Sequence, residues 1–198
     1  VLLNNPLIGS KKNKSRNINN SEVKLGFAGS LIQTKGVLFL LKSFLNLDQY
    51  KFKLNIFGDG ALLSDLKNEF NINKNINFFG HVSNLSSHLD DFVDIFILPS
   101  PIPESSSLVL QQAISRSIPV ITTNLGGQKY FVKNHFNGIL IDVNNQESLF
   151  HAINYIVENY SSMSKNCMTF SNQFINEKSY LNKFKKIIKS LNENIAVK

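Results

Sequence analysis

The most chemically loaded stretch of this 198-residue chain is 98–127, LPSPIPESSSLVLQQAISRSIPVITTNLGG. Pro99, Pro101 and Pro103 stop the apolar run 95–98. Glu104 and the serines at 105–107 then supply capping oxygens and small residues at the start of a helix through Leu108, Val109, Gln112 and Ala113. A helix start carries backbone N–H groups without intrahelical acceptors. Set at the carboxyl end of a parallel strand, such a start holds the negative part of a ligand, usually phosphate, so anion binding is the first chemistry implied. A second loop, Gly29-Ser30-Leu31-Ile32-Gln33-Thr34-Lys35-Gly36, is neither a Walker A motif nor a dinucleotide G-x-G-x-x-G fingerprint. Taken alone, Lys35 reads as a solvated lysine and Gly58-Asp59-Gly60 as a tight strand-to-helix turn.

The elements that must position these loops show in the hydrophobic periodicity. Strands are expected at 23–29, 52–58, 76–80, 94–98, 119–122 and 138–141, and helices at 36–47, 61–70, 85–92, 106–116 and 146–158. Apolar strands alternating with amphipathic helices predict βαβ units, hence a Rossmann-like α/β domain with a parallel sheet covered on both faces. Beyond Asn159 the pattern is purely helical. Leu181, Phe184, Ile187, Ile188 and Leu191 form an apolar stripe, with Lys183, Lys185, Lys186 and Lys189 largely off it. Such a helix packs against protein or lies on a membrane, and the first is the commoner case.

Composition bounds the answer. With 42% hydrophobic residues the chain suits one α/β domain burying roughly 70% of its unfolded surface. The single cysteine, Cys167, excludes an internal disulfide. No apolar run reaches the roughly 20 residues of a spanning helix, and the N-terminus lacks signal-peptide order, so a soluble, cytoplasmic chain is expected. A net charge of +7 suits phosphate-bearing ligands or an anionic membrane surface. The basic segment KKNKSRNINNSE has no interleaved aromatic residue, which argues against nucleic acid and for a solvated loop. His81, His88, His135 and His151 are scattered without zinc spacing, no Asp-x-Asp pair occurs, and no metal is expected.

These residues carry a family resemblance. Pro99-Ser100, then Glu104, seven residues, Gln112 and Ala113 resemble the Pro-Ser…Glu-x7-Glu-Ala pattern of family-four retaining glycosyltransferases of the GT-B fold, with Gln in the second Glu position. Ser117-Ile118-Pro119-Val120-Ile121 and the pair Gly126-Gly127 continue it. The resemblance covers about 23–158 and implies the C-terminal, donor-binding half of a bacterial enzyme of polysaccharide biosynthesis. It implies that Lys35 meets the diphosphate of a UDP- or GDP-sugar, with Ser30 standing where the family has a partner Arg. Glu104 would meet sugar hydroxyls, for which a carboxylate suits because it accepts two charge-assisted hydrogen bonds at once. Gln112 would occupy the ribose position, Ser106, Ser107 and Leu108 would turn backbone N–H groups to the phosphates, and His81 and Val82 would meet the base through backbone atoms. Gly58 belongs to a matching turn. Gly126 and Gly127 allow close backbone approach, with Tyr130 replacing a common Glu.

On the same resemblance, 1–22 is an interdomain linker, 23–158 the nucleotide-sugar domain, and 159–198 helices that pack on an absent N-terminal domain holding a glycan or lipid-linked acceptor. Peripheral contact at the inner membrane face fits that picture. Alone, the chain would bind donor but hardly catalyse. Other readings stay open: Glu104 as a capping carboxylate, Gln112 as an ordinary helix residue, and the whole as a noncatalytic nucleotide-sugar-binding paralogue. A nicotinamide-dependent oxidoreductase shares the fold class but needs the glycine fingerprint that is lacking here.

Overall fold

A computed structural model describes residues 15–18, 21–104, 107–173 and 177–196. Its centre is a six-stranded, all-parallel sheet built from β1 (Val23–Ala28), β2 (Phe52–Phe57), β3 (Ile76–Gly80), β4 (Ile95–Leu98), β5 (Val120–Thr123) and β6 (Gly138–Ile141), in the spatial order β3-β2-β1-β4-β5-β6. The helices are α1 (Val37–Phe44), α2 (Leu63–Phe70), α3 (Leu85–Phe92), α4 (Leu108–Ser115), α5 (Gln128–Phe131), α6 (Gln146–Glu158), α7 (Tyr160–Ser171) and α8 (Glu177–Ala196). The Rossmann-like expectation holds.

The apolar strands read as they do because both faces are covered. Every residue of β4 and β5 is buried, whereas the edge strand β3 alternates buried Ile76 with half-exposed or exposed neighbours. Phe27, Phe44, Phe57, Phe70 and Phe96 are the bulkiest fully buried side chains of one continuous core. Phe57 also stacks on Phe79 with ring centroids 4.7 Å apart, so the edge strand is held by an aromatic contact as well as by its ladder.

Chain order reverses between β1 and β4: successive strands step outward from β1 to β3, then from β4 to β6 on the other side. A crevice opens at the carboxyl ends of the strands beside such a switch point. Both loops singled out above, after Ala28 and after Leu98, lead from that point.

Several boundaries differ from the periodicity. The helix expected at 36–47 is α1, which starts after Gly36 in a left-handed conformation (φ 72°) and ends at Phe44, and a 3-10 turn, Gln33–Lys35, precedes it. The helix expected at 106–116 begins at Leu108, with Ser107 as its cap; Ser105 and Ser106 lie outside the described residues. The short α5 after Gly126-Gly127 has too few residues to show a period.

The end of the domain also shifts. Tyr160, Met163, Cys167 and Phe170 of α7 are buried in the core, and α7 packs on α4, so the boundary drawn at 158 falls inside the packed unit. On α8, Leu181, Phe184 and Ile188 are each 42–46% exposed, the apolar stripe that the sequence predicts.

Nor is the basic segment wholly a solvated loop. The Arg16 backbone N–H donates to Ser164 Oγ (2.7 Å), and its guanidinium donates to the carbonyls of Leu89 (3.3 Å) and Asp90 (2.8 Å). Arg116 grips the Asp90 carboxylate, with Nε to Oδ1 at 3.0 Å. Asp94 accepts the Lys24 N–H (2.9 Å), and the Tyr160 hydroxyl donates to the Asp94 carbonyl (3.1 Å). Burial raises the Asp94 carboxyl above its ordinary value, outweighing the Lys24 hydrogen bond and nearby Arg16. It also raises the Tyr160 phenol and the Cys167 thiol and lowers Arg116.

Candidate functional site

The loop after β4 starts as a rigid bracket. The buried Ser100 hydroxyl donates to the Thr34 carbonyl at 2.7 Å, with the Ile102 carbonyl at 3.1 Å, while the Thr123 hydroxyl donates to the Ser100 carbonyl at 2.6 Å. One serine thereby ties the loops after β1 and β4 to the end of β5. The Gly127 N–H donates to the Glu104 carbonyl at 2.6 Å, and a Cβ on Gly126 (φ 48°) would lie 2.8 Å from Pro103 Cβ. The glycine pair thus clamps the backbone of Glu104 from behind.

Within this bracket Lys35 and Glu104 meet. Lys35 Nζ donates to Glu104 Oε1 at 2.9 Å, and the two side chains are 29% and 13% exposed. They are the charged residues among those lining a cavity of about 260 Å³, which Ser30, Leu98, Ser107 and Leu108 also line. Ser107 caps α4 by accepting the Leu110 N–H at 3.5 Å, while Leu108 and Val109 head the helix where N–H groups lack intrahelical acceptors. The capping work thus falls to Ser107, and the carboxylate of Glu104 turns to Lys35 instead. Lys35, in turn, is a partnered lysine at a cavity wall.

A second cavity of about 260 Å³ adjoins the first, sharing Ala28, Gly29, Ser30 and Val109. Gly58, Asp59, His81, Val82, Phe57 and Leu85 complete its wall. Together the two form a groove across the carboxyl ends of β1, β2 and β4. One end is charged by the Lys35–Glu104 pair and the other is walled by the turns after β2 and β3.

Of the residues chosen from sequence, Ser30, Lys35, Glu104, Ser107 and Leu108 line the first cavity, and Ser30, Gly58, His81 and Val82 line the second. Gly126 and Gly127 stand behind Glu104, outside either wall. Ser106 lies outside the described residues. Gln112 sits one turn beyond Leu108 on α4 and lines neither cavity; its Oε1 is buried without a hydrogen-bond partner among the described residues. Val109, at the junction of both cavities, and the triple tie through Ser100 escaped sequence reasoning. Helical position two residues past the cap was the signal for Val109; nothing local announces the tie.

A larger cavity, about 360 Å³, lies at the α6 end of the sheet, lined by His135, Ile139, His151 and Tyr155 among others. None of the candidate donor-site residues lines it, and its His151 and Glu147 are 77% and 83% exposed at 4.0 Å from each other. Converging charge and helix N–H groups mark the smaller groove as the better candidate. Among the described residues no three His, Cys, Asp or Glu side chains are grouped to hold a metal ion, and no helix is long and apolar enough to cross a membrane.

Comparison with known proteins agrees with this topology. The chain is 34% identical over 118 residues to an Escherichia coli UDP-Gal:alpha-D-GlcNAc-diphosphoundecaprenol alpha-1,3-galactosyltransferase, covering 57% of this chain and 30% of that protein. Its fold is similar to that of Anabaena HepE, solved in complex with UDP and glucose (TM-score 0.75, 18% identity, 87% of this chain and 49% of the other). It is also similar to the lipopolysaccharide outer core galactosyltransferase WaaB in its apo form (TM-score 0.76, 19% identity, 96% and 56%). The chain therefore spans about a third to a little over half of these proteins. The model of the family described as glycosyl transferases group 1 matches residues 10–176, and with its GT-B-type Rossmann-like sheet this chain belongs to that family.

Proposed function

We propose that this chain is the donor-binding half of a retaining hexosyltransferase, taking a nucleoside-diphosphate sugar and presenting it to a glycan or lipid-linked acceptor held by another part of the protein. The observation that carries this reading is the Lys35–Glu104 pair at the start of α4, a cation and a carboxylate side by side in one cavity. Lys35 and the N–H groups of Leu108 and Val109 meet the diphosphate, with Ser30 and Ser107 beside it. Glu104 accepts hydrogen bonds from sugar hydroxyls. The nucleoside extends into the adjoining cavity, where the backbone at Gly58, His81 and Val82 faces the base. Gly126 and Gly127 hold the Glu104 backbone from behind.

As the bond from the anomeric carbon to the diphosphate oxygen breaks, negative charge grows on the leaving group. Lys35 and the helix start stabilise it, and no metal is assigned to the task. UDP is the nucleotide of choice because HepE is solved in complex with UDP and glucose and the Escherichia coli relative is a UDP-Gal galactosyltransferase. A specific observation keeps a second reading alive: Ser30 lines the phosphate cavity without adding a second cation, as in a site that binds donor but does not turn it over.

Calorimetric titration with UDP and GDP tests the site. We expect one to bind, and Lys35→Ala to weaken it by about tenfold. Absence of binding from a folded chain would sink the donor-site reading. A sugar-transfer assay in the protein carrying its acceptor half separates the enzyme from the noncatalytic paralogue.

A further inference from the structure

We propose that Glu104 makes the site prefer a loaded donor over the spent nucleoside diphosphate, by competing with the diphosphate for Lys35. The inference rests on the donor-site reading and gives it a direction. Lys35 and Glu104 are joined at 2.9 Å, and they are the charged residues among the described lining of their cavity. The carboxylate therefore balances the lysine's positive charge, and a diphosphate must compete with it for Lys35.

The backbones on both sides of the pair are fixed. Ser100 holds the Lys35 loop through the Thr34 carbonyl, and Gly127 holds Glu104 through its carbonyl. What can adjust is the two side chains. A bare diphosphate draws Lys35 toward itself and leaves Glu104, only 13% exposed, beside a new negative charge without a matched partner. A sugar on the same diphosphate brings hydroxyl donors to that carboxylate, so Glu104 keeps hydrogen-bond partners while Lys35 moves to phosphate. Sugar and diphosphate thus bind with positive coupling through one ion pair. Once the sugar has left, the pair closes again and favours release of the nucleotide. Glu104 therefore acts on the diphosphate through Lys35, in addition to meeting the sugar itself.

The test is a calorimetric titration of the chain with UDP and GDP and with UDP-glucose, UDP-galactose and GDP-mannose. It uses wild type, Glu104→Gln, Lys35→Gln and the double variant, each checked for folding by thermal melting. Glu104→Gln keeps size and acceptor oxygen but cannot balance a lysine. It is expected to bind the bare diphosphate about 3- to 5-fold more tightly than wild type, the scale of a partly exposed ion pair, and to lose preference for the sugar conjugate. Glu104→Ala should shift the bare diphosphate in the same direction. In the Lys35→Gln background the gain should shrink, because competition needs the lysine, whereas simple charge repulsion would leave the gain unchanged. Unchanged or weaker diphosphate binding by Glu104→Gln, or a gain undiminished without Lys35, overturns the competition while leaving the donor site intact. If wild type binds none of the nucleotides, the donor-site reading falls and this inference falls with it.

Discussion

At the scale of single residues, Ser100 shows how a site is held by a side chain that need not touch the ligand. It is fully buried, and its hydroxyl and carbonyl join the loops after β1 and β4 to the end of β5. Ser100→Ala removes the hydroxyl and orphans the Thr34 carbonyl beside Lys35. Expected are a loss of about 1–2 kcal/mol in urea-unfolding stability and weaker diphosphate binding despite an intact Lys35. Diphosphate affinity equal to wild type would show that Lys35 is placed without this tie. Glu104 stood out in the sequence because its Pro-Ser lead and spacing to Ala113 form a family pattern. Its contact with Lys35, 69 positions away, did not, because only the sheet order brings the two loops together.

Elements decide where those residues stand, and here one glycine does much of the placing. Gly36 separates the Lys35 turn from α1 at φ 72°, and a Cβ there would run into the Pro99 carbonyl. Gly36→Ala combines left-handed strain with a backbone clash at the β4 loop. We expect it to cost about 2 kcal/mol or more and to lower diphosphate affinity in step, read by thermal melting and titration. A variant as stable as wild type would mean that the two loops can part freely. Strands and long helices were legible because burial on both faces imposes apolar runs and 3.6-residue stripes. The 3-10 turn Gln33–Lys35 and the four-residue α5 were not, since both are too short for any period. The cap of α4 was legible as a choice among Glu104 and three serines, and Ser107 holds it.

Across the whole molecule the chemistry and the stitching lie at opposite ends of the sheet. The groove sits at the carboxyl ends of the strands, while Arg16, Lys24, Asp90, Asp94, Arg116, Tyr160 and Ser164 join the entering chain to α3, α4 and α7 at the other end. Sequence alone read Arg16 as part of a solvated segment, because a basic run gives no hint of a partner as distant as Ser164. Asp94 makes this pole sensitive to pH. Burial raises its carboxyl above the ordinary 3.8, so the folded chain holds that proton more tightly than the unfolded chain does. Its contribution favours folding at low pH and is lost as pH rises from 3.8 through the folded value, opposite in sign to a carboxylate stabilised by a salt bridge. Asp94→Asn keeps an oxygen for the Lys24 N–H but carries no charge to bury. Urea midpoints measured from about pH 4 to pH 7 should therefore show wild type losing stability relative to the variant as pH rises, with each titrating unit of difference worth about 1.4 kcal/mol. Wild type gaining on the variant over that range would mean that Arg16 and the Lys24 hydrogen bond outweigh burial, and that the pole opposite the site is held by charge after all.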